Sequence, residues 1–247
     1  MADFDRVAQI YDATCALQPE VMRKVVEGLA VHLDNVESLL DVGVGTGRYA
    51  DPLQRKGFNV IGMDLSRQMV AKAREKGVQN LVFGDATKLP FKDRSFDSVM
   101  SVHFIHLVED WIGVLREIGR VARRQLVSVV EYSTTLGFRG VYTQLREQMG
   151  LRTNKLDGGE KEIAKRLRPI HVETLAGYSD EIDANKELMH FDSRLSSATW
   201  EVPEDAHAKI MHQMRDLYQG MKIPRRQTIK LLAWSPEQLL KLSNSNG

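Results

Sequence analysis

The chain has 247 residues, 43% of them hydrophobic, with 34 Lys and Arg against 33 Asp and Glu. That length suits one large α/β domain with an embedded cap, and the balanced charge leaves no broad footprint for nucleic acid. A single cysteine, Cys15, excludes an internal disulfide and a cysteine-based zinc site, no apolar run reaches the about 18 residues of a membrane span, and MADFDRVAQIYD lacks the order of a secretory signal, so a soluble cytoplasmic protein is expected.

Residues 19–33 (PEVMRKVVEGLAVHL) place Val21, Met22, Val25, Val26, Leu29 and Leu33 at helical spacing, with Pro19 suited to a first turn. Short apolar runs then alternate with helical stretches. VESLLDV (36–42) is predicted as a strand, RYADPLQRKG (48–57) as a helix closed by Gly57, and NVIGMDL (59–65) as a second strand. SRQMVAKAREKG (66–77) is a helix with Ser66 and Gly77 as caps. NLVFGD (80–85) and FDSVMSV (96–102) follow as strands. Residues 107–122 form a helix with Val108, Trp111, Ile112, Leu115, Ile118 and Ala122 on one face, and QLVSVVEY (125–132) is a fifth strand. Strands that alternate with helices, and carry no polar alternation of their own, mean a parallel sheet covered on both faces.

Beyond Tyr132 the pattern changes. GFRGVYTQLREQMG (137–150) reads as a helix, LRTNKLDGGEKE (151–162) as a polar surface loop, and EIAKRLRPI and HVETLAGYSDEI (162–182) as two short helices. KELMHFDSRL (186–195) and RRQTIKLLAW (225–234) read as strands six and seven, with a helical stretch near 204–219 between them. The Arg/Lys run at 222–230 reads as a solvated strand edge. The expected organisation is one domain over 1–247, with an N-terminal helical lid segment (1–35), a ligand-binding core (36–132), a helical cap (133–185) and strands six and seven (186–234).

The stretch LLDVGVGTGRYADPL (39–53) carries the chemistry. Gly43, Gly45 and Gly47 follow the first strand, where open parallel sheets bind ligands and where bare backbone permits close approach. Asp64 ends the second strand 21 residues after Gly43 (64 − 43), the interval at which an acid binds ribose hydroxyls, and Asp85 ends the third strand. With Asp41, each of the first three strand ends carries an acid. The dinucleotide pattern G-x-G-x-x-G/A fails at Arg48, and three carboxylates do not suit a pyrophosphate. They suit a cationic ligand with a ribose and an adenine amino group, a description that S-adenosylmethionine meets.

Four stretches carry a family likeness: LLDVGVGTGRYADPL, GMDLSRQMVAKAR, GDATKLPFKDRSFDSV and VLREIGRVARR. Through them, and through FDRVAQIYD at the N-terminus, residues 4–132 resemble class I S-adenosylmethionine-dependent methyltransferases of the ubiquinone/menaquinone-biosynthesis group (methyltransferase type 11). One departure is that Arg123, Arg124 and Gln125 stand where the family has a Pro-Gly-Gly turn. The resemblance implies a Rossmann-like, doubly wound, mostly parallel seven-stranded sheet with an antiparallel last strand and a helical cap after strand five. It also implies S-adenosyl-L-methionine as cofactor, S-adenosyl-L-homocysteine as product, and a small-molecule methyl acceptor.

By that resemblance Gly43, Val44, Gly45 and Gly47 approach the methionine part of the cofactor, and Asp41 holds the loop and receives the ammonium. Asp64 accepts both ribose hydroxyls, Leu65 and Met69 pack on the adenine, and Asp85 and the Ala86 backbone bind its edge. Ser101, Val102 and His103 face the methyl donor, and Tyr11 folds over it. Met69 is equally spaced as a core residue of its helix, and Asp97 reads as shaping the turn into strand four. A general base is needed only for a nucleophile that is protonated at neutral pH; His103 is the first candidate and Tyr11 the second. No metal site is expected from His103 and His106, which lack a third ligand. Acceptor choice is assigned to 133–225, where Tyr142, Met149, Tyr178, Phe191, Trp200 and Met211 either line a pocket or form the cap's own core. The stretch SVHF after strand four lacks the Asn-Pro-Pro-Tyr type of motif and disfavours methylation of a base amine. The competing readings are a non-catalytic S-adenosylmethionine-binding regulatory protein and a nicotinamide-dependent oxidoreductase.

Overall fold

The structure, a computed structural model, describes residues 17–134, 137–151 and 159–245. In chain order the elements are α1 (Pro19–His32), β1 (Leu39–Val42), α2 (Ala50–Arg55), β2 (Val60–Asp64), α3 (Arg67–Lys76), β3 (Asn80–Phe83), β4 (Phe96–Met100), a 3-10 turn (Ile105–Leu107), α4 (Trp111–Val121) and β5 (Ala122–Ser133). Then come α5 (Phe138–Gln148), α6 (Glu160–Arg166), β6 (His171–Asp183), α7 (Ala184–Asp192), α8 (Glu204–Tyr218), β7 (Lys222–Trp234) and α9 (Pro236–Ser245). The sheet is a seven-stranded mixed sheet of order β3-β2-β1-β4-β5-β7-β6 with β7 antiparallel, the Rossmann-like arrangement expected. No described helix is long and apolar enough to cross a membrane.

The chain divides into two compact units. One holds the described residues of Phe4–Val130, Lys155–Ala176 and Ile229–Gly247; the other holds those of Glu131–Asn154 and Gly177–Thr228. In the first unit β1 and β4 are buried along their whole length, as central parallel strands must be when helices cover both faces. Ser66 caps α3 by accepting from the Met69 amide (3.1 Å), and Gly77 closes it in the left-handed region, as its spacing predicts.

Asp97 ties the start of β4 to the segment before β1. Its Oδ2 accepts from the amides of Glu37 (2.9 Å) and Ser38 (3.2 Å), and its Oδ1 from Arg123 Nη1 (3.2 Å). Burial alone would raise this carboxyl; Arg123 and the two amides outweigh it and hold it below the usual range. Asp97→Ala removes the acceptor from two amides and is expected to cost about 2–3 kcal/mol in urea unfolding at pH 7, with cofactor affinity changed less than twofold. Because the folded pKa is depressed, that stability is present above about pH 4 and is lost as pH falls through the folded value, so the deficit of the variant shrinks in acid.

The turn expected around Arg123 does not exist: α4 ends at Val121 and β5 begins at Ala122. Phe96 pairs with Ala122 but Ser98 pairs with Gln125, so a one-residue bulge on β5 takes up the connection. Arg123 Nε donates to the Arg94 carbonyl (2.6 Å), and Arg124 Nη1 donates to the Asn35 carbonyl (2.6 Å), fastening the bulge on both sides.

Three expectations beyond Tyr132 are corrected. HVETLAGYSDEI is strand β6, with Ala176, Tyr178, Asp180 and Ile182 turned inward and Gly177, Ser179 and Glu181 outward, a period of two that excludes a helix. Of KELMHFDSRL, residues 186–192 lie in helix α7, not in a strand, and 193–195 form the turn after it. Asp183 caps it by accepting from Asn185 (3.0 Å) and Lys186 (3.4 Å), and Ala184, Leu188 and Phe191 form its buried face. The basic run of β7 is not a sheet edge, because β6 lies outside it; the Arg225 guanidinium grips both oxygens of Asp180.

A C-terminal helix, α9, was not expected from the sequence. Ser235 and Gln238 form its reciprocal capping box (Gln238 amide to Ser235 Oγ 3.3 Å, Ser235 amide to Gln238 Oε1 3.0 Å). It packs on α4 at Gly119, where an added Cβ would stand 3.0 Å from Leu240 Cγ and 3.2 Å from the Pro236 carbonyl.

The second unit has its own core of Phe138, Tyr142, Phe191, Ile210, Met211 and Met214 among others. Tyr142, Phe191 and Met211 are therefore core residues of the cap, and the Tyr142 hydroxyl meets His207 Nδ1 at 2.7 Å inside it. Met149 remains 38% exposed, and Trp200 anchors its indole N–H on the Arg194 carbonyl (2.9 Å).

Candidate functional site

The site is built at the carboxyl ends of β1, β2 and β4. Gly43, Gly45 and Gly47 all adopt positive φ (78°, 55° and 78°). Gly43 needs it doubly: a Cβ there would fall 2.3 Å from the Phe104 ring. At Gly45 the nearest neighbour of an added Cβ is the Gly43 carbonyl at 4.0 Å, so this part of the loop presents open backbone. The amides of Gly43 and Val44 both donate to the Met63 carbonyl (2.9 and 3.0 Å), which fixes the loop against β2.

Asp64 clamps two loops. Its Oδ2 accepts from the Gly45 amide and its Oδ1 from the Ser66 amide, both at 2.9 Å. A carboxylate has about four lone-pair sites, so one such group can accept from several donors at once. Asp41 lies inside β1, 4% exposed. Burial, and the charge of Asp64 beside it, push its carboxyl up to about 8. Two acids so placed repel each other, and a cation between them and solvent relieves that repulsion.

Leu65, next to the clamp, is 43% exposed, whereas Met69 is buried at 3%, on the core side of α3. Asp85 stands exposed beyond β3, its Oδ1 accepting from the Thr87 amide (2.9 Å) and hydroxyl (2.8 Å); Ala86 is buried beside it. At the end of β4, Ser101 is fully buried with no partner for its hydroxyl, Val102 is nearly buried, and His103 adopts φ 54°. That left-handed turn at a histidine throws Phe104 onto Gly43 and so couples the end of β4 to the glycine loop. Tyr11 lies outside the described residues.

Reading the sequence missed Glu160. Placed in a supposed surface loop, it is in fact 5% exposed at the start of α6, with Oε1 lacking a hydrogen-bond partner. The doublet Gly158-Gly159 before it was the available signal: Gly159 has φ 54° and ψ −135°, and a Cβ there would touch His106 at 3.5 Å. Among the described residues, the His32, His171 and Glu173 ligand atoms lie within 4.8 Å of one another, and neither His103 nor His106 joins such a group.

Residues 40–126 match the sequence family described as "Methyltransferase domain". The demethylmenaquinone methyltransferase of Streptomyces avermitilis is 35% identical over 149 residues, 57% of this chain and 64% of that protein. That of Thermotoga maritima is 37% identical over 131 residues, 49% of this chain and 56% of that protein. The chain thus spans less than two thirds of the length of these curated relatives. Two solved structures share the fold. One, a methyltransferase from Thermotoga maritima described as a possible histamine N-methyltransferase, has a TM-score of 0.50, 18% identity and coverage of 93% and 97% of the two chains. The other, from an antibiotic-biosynthesis pathway of Anabaena variabilis, has a TM-score of 0.52, 18% identity and coverage of 84% and 96%.

Proposed function

We propose that the protein binds S-adenosyl-L-methionine and transfers its methyl group to an O, N or C nucleophile of a small molecule; the match of residues 40–126 to the methyltransferase domain family supports this reading. The observation that carries this reading is the pairing of the bare Gly43–Gly47 loop with Asp41 and Asp64. Open backbone at Gly45 admits the amino-acid end of such a ligand, and the two acids favour its positive charge. A nicotinamide dinucleotide would bring a pyrophosphate to the same acids.

In this reading Asp64 accepts the ribose hydroxyls as well as the loop amides. Leu65 offers its exposed face to the adenine, and Asp85 with the Ala86 amide its edge. Asp41 balances the ammonium. Met69 supports α3 from the core. Ser101, Val102 and His103 flank the path along which the acceptor approaches. When bound, the cofactor supplies an already activated methyl group; the protein's task is to align the nucleophile and exclude water.

Thermal shift or calorimetry with S-adenosylmethionine and with NAD, run separately, is expected to show binding for the first alone. Stabilisation by NAD without S-adenosylmethionine overturns the proposal. Acceptors are then screened with a labelled methyl donor, beginning with demethylmenaquinone, supplied with a reductant, and malonyl-acyl carrier protein, the compounds named for relatives of this chain.

A further inference from the structure

Helix α1 lies against the edge strand β6 at close range: an added Cβ at Gly28 would fall 2.6 Å from Leu175 Cδ2. His32, four residues on from Gly28, shares its face of the helix, and along β6 His171 and Glu173 share the face of Leu175. The bare contact at Gly28 therefore brings the last turn of α1 onto the first residues of β6. The rings of His32 and His171 stand 4.7 Å apart, and His171 Nε2 lies 3.5 Å from Glu173 Oε2. One ligand atom from each of the three residues lies within 4.8 Å of the others. His32 is also held by a second partner. Gln125 Oε1, which can only accept, meets His32 Nε2 at 3.2 Å, while Gln125 Nε2 donates to the Oγ of buried Ser98 at 3.4 Å. In the neutral ring this places the proton on Nε2 and leaves the lone pair on the other nitrogen.

We propose that His32, His171 and Glu173 form a binding site for a divalent transition-metal ion of the zinc type, which pins the end of α1 to the edge of the sheet. Two imidazoles and one carboxylate suit such an ion, whereas magnesium and calcium prefer all-oxygen sets. With bonds of about 2.0–2.2 Å, two ligands of one tetrahedral zinc ion stand roughly 3.4 Å apart. His171 and Glu173 are already near that spacing, and their side chains, 45% and 43% exposed, have the freedom to close on an ion. Gln125 plays the part of the outer hydrogen bond that orients a metal-bound histidine. Water completes the fourth position. The site lies at the other end of β1 from the glycine loop. Gln125 pairs with Ser98, and Ser98 with Leu39, the first residue of β1, whereas the loop follows its last, Val42. The role is therefore structural, and it stands independently of the methyltransferase reading.

The test uses the full chain without a histidine tag, stripped with a chelator, and zinc chloride alone as the probe. Calorimetry is expected to show one zinc ion bound per chain, and no binding of magnesium. His32→Ala, His171→Ala and Glu173→Gln are each expected to weaken zinc binding more than tenfold, and Gln125→Ala roughly tenfold. His212→Ala, which removes another exposed pair (His212 Nε2 3.7 Å from Asp216 Oδ2), is expected to leave it unchanged. Zinc is expected to raise the melting temperature of the wild type but not of His171→Ala, since an ion that binds only the folded chain stabilises it. Should His32→Ala not fold, the exposed positions His171 and Glu173 decide, and side-chain nitrogen NMR is expected to show the His32 and His171 signals shifting together as zinc is added. Three results overturn the proposal: no zinc binding by the wild type, equal affinity in His171→Ala and wild type, or loss of binding in His212→Ala instead. Each leaves His171 and Glu173 as a metal-free ion pair.

Discussion

Asp64→Ala is expected to weaken S-adenosylmethionine binding at least a hundredfold, about 3 kcal/mol, in isothermal calorimetry. Two losses combine. The ribose acceptor disappears, and the amides of Gly45 and Ser66, each 2.9 Å from the carboxylate, lose the group that holds their loops together. Hydrogen bonds to a charged partner contribute roughly 1.5–3 kcal/mol each, so loss of the two expected from the ribose hydroxyls alone reaches the stated figure, while loss of the amide bonds bears on the stability of the loops. Asp64→Asn separates the contributions, since it keeps one oxygen acceptor but not the charge, and is expected to fall between the two. Unfolding of Asp64→Ala followed in urea supplies the control for the loosened loop. Cofactor affinity equal to that of the wild type would contradict the ribose role.

The affinity for S-adenosylmethionine is also expected to rise with pH, close to tenfold per unit from pH 6 and levelling near 8. The sign follows from Asp41, whose carboxyl is pushed to about 8 by burial and by Asp64. In the ligand-free protein below that value it carries a proton; a cation binds the ionised form better, so binding releases the proton and is favoured as protons become scarce. Asp41→Asn is expected to bind weakly and to lose this slope. The amino group of the ligand titrates in the same range, but it does so against both proteins, and the difference between them isolates Asp41. Calorimetry in two buffers of different ionisation enthalpy measures the proton released; zero release at pH 7 would remove Asp41 from the ammonium site. The same shift has a counterpart in stability. The folded protein holds this proton more tightly than the unfolded chain, so the contribution of Asp41 is complete below about pH 4 and is lost as pH rises to 8.

The first half of the fold was legible because its strands are short, apolar and separated by caps. Ser66 and Gly77 mark the ends of α3 in sequence and in space alike. Past Tyr132 the signals mislead. LMHF in α7 looks like a strand by its apolar run, but the cap at Asp183 and the spacing of Ala184, Leu188 and Phe191 decide otherwise. β6 alternates with small and charged residues of low strand preference, and its pairing with β7 overrides them. The two strands are joined through the Ile170 amide to the Ala233 carbonyl at one end and the Ala184 amide to the Met221 carbonyl at the other. Within the site, the glycines and strand-end acids were readable because turn geometry and ligand charge constrain residue type. Glu160 was not, because burial of a polar segment depends on the fold around it, and only Gly159 hinted at it. The capping box at Ser235 and Gln238 was there to be read, and with it the last helix.

The direct passage from α4 into β5 also bears on how this protein breathes. A flexible connection normally lets a helix peel from its strand in a local opening that costs little. Here helix hydrogen bonds give way at once to ladder pairing, and Arg123 and Arg124 fasten the junction to Arg94, Asp97 and Asn35. The seam has no slack in which fraying can begin. Solvent reaches the centre of the sheet there only when α4, β4 and β5 come apart together, so the scaffold behind the ligand-binding loops behaves as one cooperative block, and the freedom to move is left to the loops themselves.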